Sequence, residues 1–300
     1  MELQQLKGFL AVARQKNFSQ AAKKTFRTQS AISLQIQALE KELGVKLFDR
    51  LGGRKVAVTE EGQLLFDLTA PLVDDFETLK VKFDELLGRE KKGKVRIATS
   101  TSVMVYLLPE VIQAFKKKMP QSSLSILNRG REDILSLMNS GEVDIGITSL
   151  KTKTVPESID YKKFASFKRL LIGPKGHPLS RKSSVTPADI AKYPLLLSPK
   201  GSNTRAVVDS VFENLGLEYN LAMESTGKMA IKTFVEMDLG LSIVNEFYIA
   251  KDDRKNIFTC DVSKYFGTAE RAILTRKNRY LSRAAEAFKK ILLEKYKCAV

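Results

Sequence analysis

The sequence predicts an α + α/β chain: a winged helix-turn-helix head, one long linker helix, and a two-lobed α/β domain. Three observations predict it. A helix-turn-helix pattern occupies Phe18 to Gly62, a near-heptad apolar repeat runs from Leu65 to Leu86, and short strands alternate with helices beyond Lys92.

In the head, Ile32, Ile36, Leu39 and Leu43 recur at three- and four-residue spacing, so Gln29 to Leu43 reads as a helix with one apolar stripe. Thr28 is its expected N-cap, and Gly44 stops it after a last turn holding Lys41. The opposite face carries Gln29, Ser30, Ser33, Leu34 and Gln37, mostly short or amide side chains suited to base edges. Upstream, Ser19 is placed to cap a short helix whose Ala21 and Ala22 allow close helix crossing, with Arg27 and Thr28 forming the turn. Lys46 to Val58, interrupted by Gly52-Gly53, reads as a hairpin wing carrying Arg50, Arg54 and Lys55. Arginines on a wing suit a narrow, electronegative minor groove. Taken alone, Gln29 and Ser33 would be ordinary solvated helix residues; their joint spacing within this pattern reverses that reading.

Thr59 caps the next helix, and Glu60 and Glu61 suit the positive end of its dipole. Leu65, Leu68, Leu72, Phe76, Leu79, Phe83 and Leu86 form a seam that one helix cannot bury alone, which predicts pairing with the same helix of a second subunit. The alternative is packing against its own domain. Pro71 is expected to kink or loosen this helix, and Gly88 with the following R-E-K-K-G-K run to act as a hinge.

Beyond it, strands are expected at 95–98, 124–127 and 143–147, with helices from about Val103 to Lys118 and around Ile134 to Met138. Arg169 to Ile172, helices near 207–215 and 230–237, and a strand at 241–244 form a second set. Such alternation argues for parallel sheets. Ala272 to Leu274 and the helix from Ser282 to Tyr296 return to complete the first set. The domains are therefore 1–58, 59–92 and 93–300, with one lobe from 93–163 and 267–300, the other from 164–266, and crossovers near 162–168 and 265–268.

The formal charge is +16, unevenly placed. Residues 1 to 58 hold eleven Lys or Arg against four Asp or Glu, a net of +7, whereas residues 59 to 92 hold five against nine, a net of −4. A +7 head is what phosphate attraction requires, and it predicts steep salt dependence. Cys260 and Cys298 lie too far apart for a metal or redox motif. Neither a leader pattern nor a run of about eighteen apolar residues occurs, so a cytoplasmic protein without membrane contact is expected. The single histidine, His177, sits among turn residues in G-P-K-G-H-P-L-S, and no nucleophile elbow, P-loop or ligand cluster accompanies it. The chain reads as non-enzymatic, with no cofactor and no metal.

The head closely resembles the LysR-type transcriptional regulators. F-S-Q-A-A-K-K, T-Q-S-A-I-S-x-Q-I, L-E-K-E-L-G-V-K-L-F-D-R and V-T-E-E-G are collinear with the family pattern over about forty-five residues. Three positions depart: family members often carry proline at Ser30, arginine at Leu34 and leucine at Thr25. An exposed leucine at 34 can at most touch a thymine methyl. The resemblance implies a homodimer or homotetramer on a two-fold site in double-stranded DNA, and a periplasmic-binding-protein-like effector domain that takes a small molecule.

In such a domain a ligand belongs beyond the carboxyl ends of the strands, near helix N-termini. Ser100, Thr101 and Ser102 follow the first strand, Thr148 and Ser149 the third, Ser202, Asn203 and Thr204 precede a second-lobe helix, and Ser225 and Thr226 follow another strand. Each serine alone could be a plain helix cap; several facing one cleft suit an oxyanion or small polar metabolite. Arg205 reads either as a ligand contact or as a surface salt-bridge residue. The stretches from His177 to Leu195 and from Ile231 to Val244 resemble the branch of LysR regulators that controls sulfur assimilation and cysteine biosynthesis. The alternative is a cytoplasmic solute-binding sensory module whose DNA head is vestigial.

Overall fold

The computed structural model describes residues 1–50, 56–89, 93–149 and 155–297, with the side chains of Arg50, Lys228 and Met229 set aside. Arg54 and Lys55 of the wing, residues 90–92 of the expected hinge, and Cys298 lie outside the described residues.

The head is built from α1 (Leu3–Gln15), α2 (Phe18–Lys24) and α3 (Gln29–Leu43). Its core joins Phe9, Leu10 and Val12 to Ala21 and Ala22 of α2 and to Ile32, Ile36 and Leu39 of α3, all buried. Leu43, counted in the stripe from its spacing, is exposed instead, because the helix ends there and Gly44 turns the chain away at φ 71°. Thr28 caps α3 as expected, its hydroxyl accepting from the Ala31 amide at 3.2 Å. Ser19 does not cap α2. Asn17 does, accepting from the Gln20 amide at 3.0 Å, since the helix begins two residues earlier than a Ser19 cap would allow.

Two short strands, β1 (Phe48–Arg50) and β2 (Val56–Val58), pair antiparallel to form the wing's base. The chain then enters α4 (Glu60–Leu86), 27 residues capped by Thr59, whose hydroxyl accepts from the Gly62 amide and donates to the Lys46 carbonyl. Gly62 closes this junction: a Cβ there would stand 2.3 Å from the Leu47 carbonyl oxygen and 2.8 Å from Val58 Cγ1. Gly62→Ala is therefore expected to destabilise the head by about 1–3 kcal/mol, read as a lower urea midpoint. Pro71 lies inside α4, which runs on through it as one helix.

The first lobe is a five-stranded sheet in the order β4-β3-β5-β12-β6. Its strands are β3 (Lys94–Thr99), β4 (Ser123–Asn128), β5 (Ile145–Thr148), β6 (Ile159–Phe167) and, from the end of the chain, β12 (Ala269–Arg276). The helix expected from Val103 to Lys118 is two, α5 (Thr101–Tyr106) and α6 (Pro109–Lys118), because Pro109 can open a helix but cannot continue one. Helix α7 (Arg131–Asn139) completes the segment.

The second lobe runs β7 (Arg169–Pro174), α8 (Pro187–Ile190), β8 (Leu195–Leu197), α9 (Asn203–Asn214), β9 (Leu221–Glu224), α10 (Lys228–Glu236), β10 (Ser242–Asn245), β11 (Ile257–Asp261) and α11 (Ser263–Phe266). The last helix, α12 (Arg283–Lys295), packs back on α6 and β3 through Ala285, Phe288 and Leu292.

The expected parallel sheets need correction. β3 is parallel to β4 and β5, and β8 to β9, but β12 runs antiparallel to β5 and β6, and β7 antiparallel to β10 and β11. Both connections between lobes are strands of one sheet: β6 leads out and β12 leads back, so they must run in opposite directions. A one-dimensional alternation of elements does not reveal strand direction when the chain crosses between lobes.

Candidate nucleic-acid interface and ligand cleft

Helix α3 turns its apolar stripe inward and its polar face outward. Gln29, Ser30 and Gln37 are exposed, Ser33 is half-buried, and Leu34 stands 65% exposed. Gln29 is steadied by Ser19, whose hydroxyl donates to its amide oxygen at 2.6 Å, and the Ser30 hydroxyl lies 3.1 Å from that of Thr28. The turn before α3 passes through Phe26 in left-handed backbone, φ 55°, with the ring almost wholly in solvent. Lys23, Lys24, Arg27 and Lys46 are exposed on the same small module. The backbone of Arg50 lies in the wing strand, while Arg54 and Lys55 fall outside the described residues.

Helix α4 shows two different faces. Leu68, Leu72, Phe76, Leu79, Phe83 and Leu86 of the predicted seam are all more than half exposed, and Leu65 alone is partly buried against the head core. The other face carries Thr69, Ala70, Val73, Asp74 and Glu85 against the head and the first lobe. Asp74 is the centre of a charge cluster that spacing alone does not reveal. Arg279 grips it through Nε at 2.8 Å and Nη2 at 2.9 Å, Arg276 reaches it at 3.2 Å, and Arg96 lies 3.6 Å away. Asp144 pairs with Arg96 at 2.7 Å and Arg279 at 3.1 Å, and Asp75 pairs with Arg276. Three guanidinium groups thus meet three carboxylates. Burial pushes the Asp74 carboxyl above the usual range, with Arg279, Arg96 and Arg276 pulling against it. Lower on the same helix, Glu85 accepts from the Tyr280 hydroxyl at 2.5 Å and the Arg283 amide at 3.0 Å. An open cleft of about 730 Å³ between α1, α4 and the first lobe is lined in part by Arg14, Asp74, Arg96, Asp144 and Arg279. It contains none of the hydroxyl residues picked out for a ligand.

Those hydroxyls fall at the expected ends of strands, on two lobes. Ser100 and Ser102 touch each other at 3.1 Å at the start of α5, and the amide of the exposed Thr101 donates to Asn128 Oδ1 at 3.0 Å. Thr148 is buried on β5, next to β3, to which Thr99 ties it by donating to the Ile147 carbonyl; Ser149 is half-buried. In the second lobe Ser202 caps α9, accepting from the Arg205 amide at 3.3 Å, Thr204 is buried, and Asn203 accepts from Arg169 Nη2 at 3.3 Å. Ser225 makes a local turn by accepting from the Gly227 amide. No hydrogen bond links the two sets among the described residues. Arg205 is a salt-bridge residue, paired with Asp209 at 2.7 Å and Glu224 at 3.0 Å, but buried rather than at the surface. His177 has the structural role its surroundings suggested: Nδ1 accepts from the Leu179 amide, and its ring packs on Tyr193 and Phe258.

Comparison with known families matches residues 3–63 to the bacterial regulatory helix-turn-helix protein, lysR family, and residues 88–297 to the LysR substrate binding domain. This chain belongs to the LysR family of transcriptional regulators. The LysR chain is 32% identical over 267 residues to the HTH-type transcriptional regulator cbl of Escherichia coli, covering 89% of this chain and 84% of that protein. It is 28% identical to the RuBisCO operon transcriptional regulator of Allochromatium vinosum, covering 98% and 96%. Its fold is that of a full-length OxyR variant from Pseudomonas aeruginosa, with a TM-score of 0.76 at 21% identity over 100% of this chain and 99% of that one. As a LysR regulator the chain combines a DNA-binding head with an effector-binding domain and is not an enzyme. Among the described residues no helix is long and apolar enough to cross a membrane.

Two groups where the lobes join carry no sequence pattern in this LysR chain. Arg169 opens β7 beside Asn245 of β10, and both side chains are buried with polar atoms that make no hydrogen bond. A lone arginine at the start of an apolar strand carries no periodic signal.

Proposed function

We propose that this regulator acts in the cytoplasm as a homo-oligomer, two copies pairing through the outer seam of α4 so that two α3 helices meet a two-fold element in double-stranded DNA. The observation that carries this reading is the division of α3 into a buried Ile32-Ile36-Leu39 stripe and an exposed Gln29-Ser30-Leu34-Gln37 face. Gln29, Ser30, Ser33 and Gln37 are assigned to base edges, Leu34 to a thymine methyl, and Arg50, Arg54 and Lys55 to phosphates or the minor groove. The working divisions are 1–58, 59–92 and 93–300. In the last of these, a small anionic or polar metabolite closes the lobes through Ser100, Thr101, Ser102, Thr148, Ser149, Ser202, Asn203 and Thr204.

The route from cleft to DNA runs through β12. This strand is the return crossover between lobes, and it ends at Arg276, three residues before Arg279; both arginines hold Asp74 of α4. A ligand that binds the closed arrangement more tightly than the open one biases the seat of α4, and with it the separation of the two reading helices. The resemblance of residues 177–195 and 231–244 to the sulfur-assimilation branch supports a metabolite of sulfur or cysteine metabolism.

Gel shifts titrated with salt on the protein's own promoter region test the head. Gln29→Ala and Ser33→Ala are each expected to remove about 1–3 kcal/mol of discrimination against competitor DNA while leaving the salt slope unchanged. Equal affinity of the unaltered protein for promoter and competitor would leave the head vestigial and the chain a solute sensor.

A further inference from the structure

Among the described residues five arginines are nine-tenths or more buried: Arg169, Arg205, Arg271, Arg276 and Arg279. Three have carboxylate partners: Arg205 has Asp209 and Glu224, and Arg276 and Arg279 share Asp74. The other two have none among the described residues. Arg169 donates from Nη2 to Asn203 Oδ1, while its Nε and Nη1 are buried without a hydrogen bond. Arg271 donates to the Glu270 carbonyl at 2.9 Å and lies over the Phe247 ring at 5.2 Å.

Both sit where the lobes join. Arg169 follows the last residue of β6 by two positions, and Arg271 lies on β12 opposite Ala165 of β6, at the bulge between Arg271 and Ala272. Arg169 also reaches the N-terminus of α9 through Asn203, where Ser202 and Thr204 stand. Each feature of this corner favours negative charge: two guanidinium groups, one helix N-terminus of twelve residues, and no carboxylate paired with either arginine among the described residues. Burial, and then the nearby charge of Arg271, pull the Arg169 pKa down to about 10. Burying unneutralised guanidinium groups is costly, and a fold that stabilised itself alone would place an apolar residue or an acid here. Beside them, Asn245 Oδ1 is a buried acceptor that receives no hydrogen bond.

We propose that Arg169 is the anion-recognising group of the interlobe cleft: its Nε–H and Nη1–H, on different edges of the guanidinium group, are unpaired charged donors for the oxyanion of a small ligand, and Asn245 accepts a hydrogen bond from a donor on the same molecule. The ligand class is a sulfate-like or carboxylate oxyanion carrying an N–H or O–H. A charge-assisted N–H donor suits an oxygen of either group. This rests on the reading of the hydroxyl cleft as the effector site, and it adds a charge-bearing residue to a set made only of neutral groups.

The test uses the full-length protein in thermal melts and calorimetric titrations with sodium sulfate, sodium acetate and O-acetylserine, against sodium chloride at matched ionic strength. Sulfate without acetate identifies a tetrahedral oxyanion; acetate or acetylserine without sulfate identifies a carboxylate. At least one of them is expected to raise the midpoint above chloride, and Arg169→Met to weaken its binding by roughly tenfold or more. In chloride alone Arg169→Met is expected to melt no lower than the unaltered protein, because it removes a buried charge that no carboxylate among the described residues neutralises, whereas Arg276→Met melts lower. The proposal is overturned if no anion acts, if Arg169→Met binds the active anion as tightly as before, or if it melts as low as Arg276→Met or fails to fold. Loss of the response in Ser100→Ala and Ser202→Ala but not in Arg169→Met sinks this inference and leaves the effector reading standing. The reverse pattern keeps Arg169 and removes the hydroxyls.

Discussion

Replacing Asp74 with alanine is expected to weaken the docking of α4 on the first lobe by about 3–5 kcal/mol, the range for removing one member of a buried ion pair. The magnitude follows from what remains. Arg279 would lose both contacts from its Nε and Nη2 to this carboxylate, at 2.8 and 2.9 Å, and Arg276 would keep only Asp75. Asp144 already pairs with Arg96 and lies 3.1 Å from Arg279, so it cannot neutralise both released groups. Alanine also opens space beside Gly141, where a Cβ would stand 2.2 Å from Asp74 Cγ and which therefore fits only against this side chain as it is placed. Hydrogen exchange along α4 reads the result, with protection from Val73 to Leu86 falling while that of α3 stays unchanged. Unaltered protection there would mean that the cluster is not what seats the helix. Asp74→Asn is expected to be milder, since burial already opposes the ionised carboxyl and the amide oxygen still accepts one hydrogen bond.

The second large effect is expected on the outer face of the same helix. Phe76 and Leu79 stand 53% and 61% exposed in the middle of the seam, where Lys7 Nζ lies over the Phe76 ring at 5.5 Å and no apolar cluster of the described residues includes either side chain. A contiguous apolar face of this length marks an association surface. Leu79→Asp loses burial and places a carboxylate in an interface, at about 2–5 kcal/mol for a large apolar side chain. In a two-fold pair each substitution occurs twice, so the dissociation constant should rise by roughly three orders of magnitude or more. Sedimentation across a concentration series should show monomers, and affinity for a two-fold DNA site should fall with it, because the two heads no longer bind as a unit. If Leu79→Asp stays oligomeric at the concentrations where the unaltered protein does, the α4 seam is not the interface.

Much of this architecture is legible in one dimension because its causes are local. The limits of α3 follow from Thr28, the Ile32-Ile36-Leu39 spacing and Gly44, each acting within a turn or two of itself. The start of α4 follows from Thr59 and the Glu60-Glu61 pair in the same way. Hydroxyls after strands could be found because a strand followed by a helix cap is a short pattern. Local patterning misleads where two neighbours compete for one role, as Ser19 and Asn17 do for the cap of α2, and it is silent on strand direction.

The sequence by itself determined the reading helix, the length and amphipathic character of α4, and the family of the chain, since each depends on residues at most a few turns apart. Only the tertiary structure decided which side of α4 meets the rest of the protein, because Asp74 finds Arg276 and Arg279 across some two hundred residues. It also decided that two buried arginines stand where the lobes join with no carboxylate partner among the described residues. Ion pairing between distant residues has no period, and an unpaired charge announces itself only when every neighbour that could neutralise it has been placed.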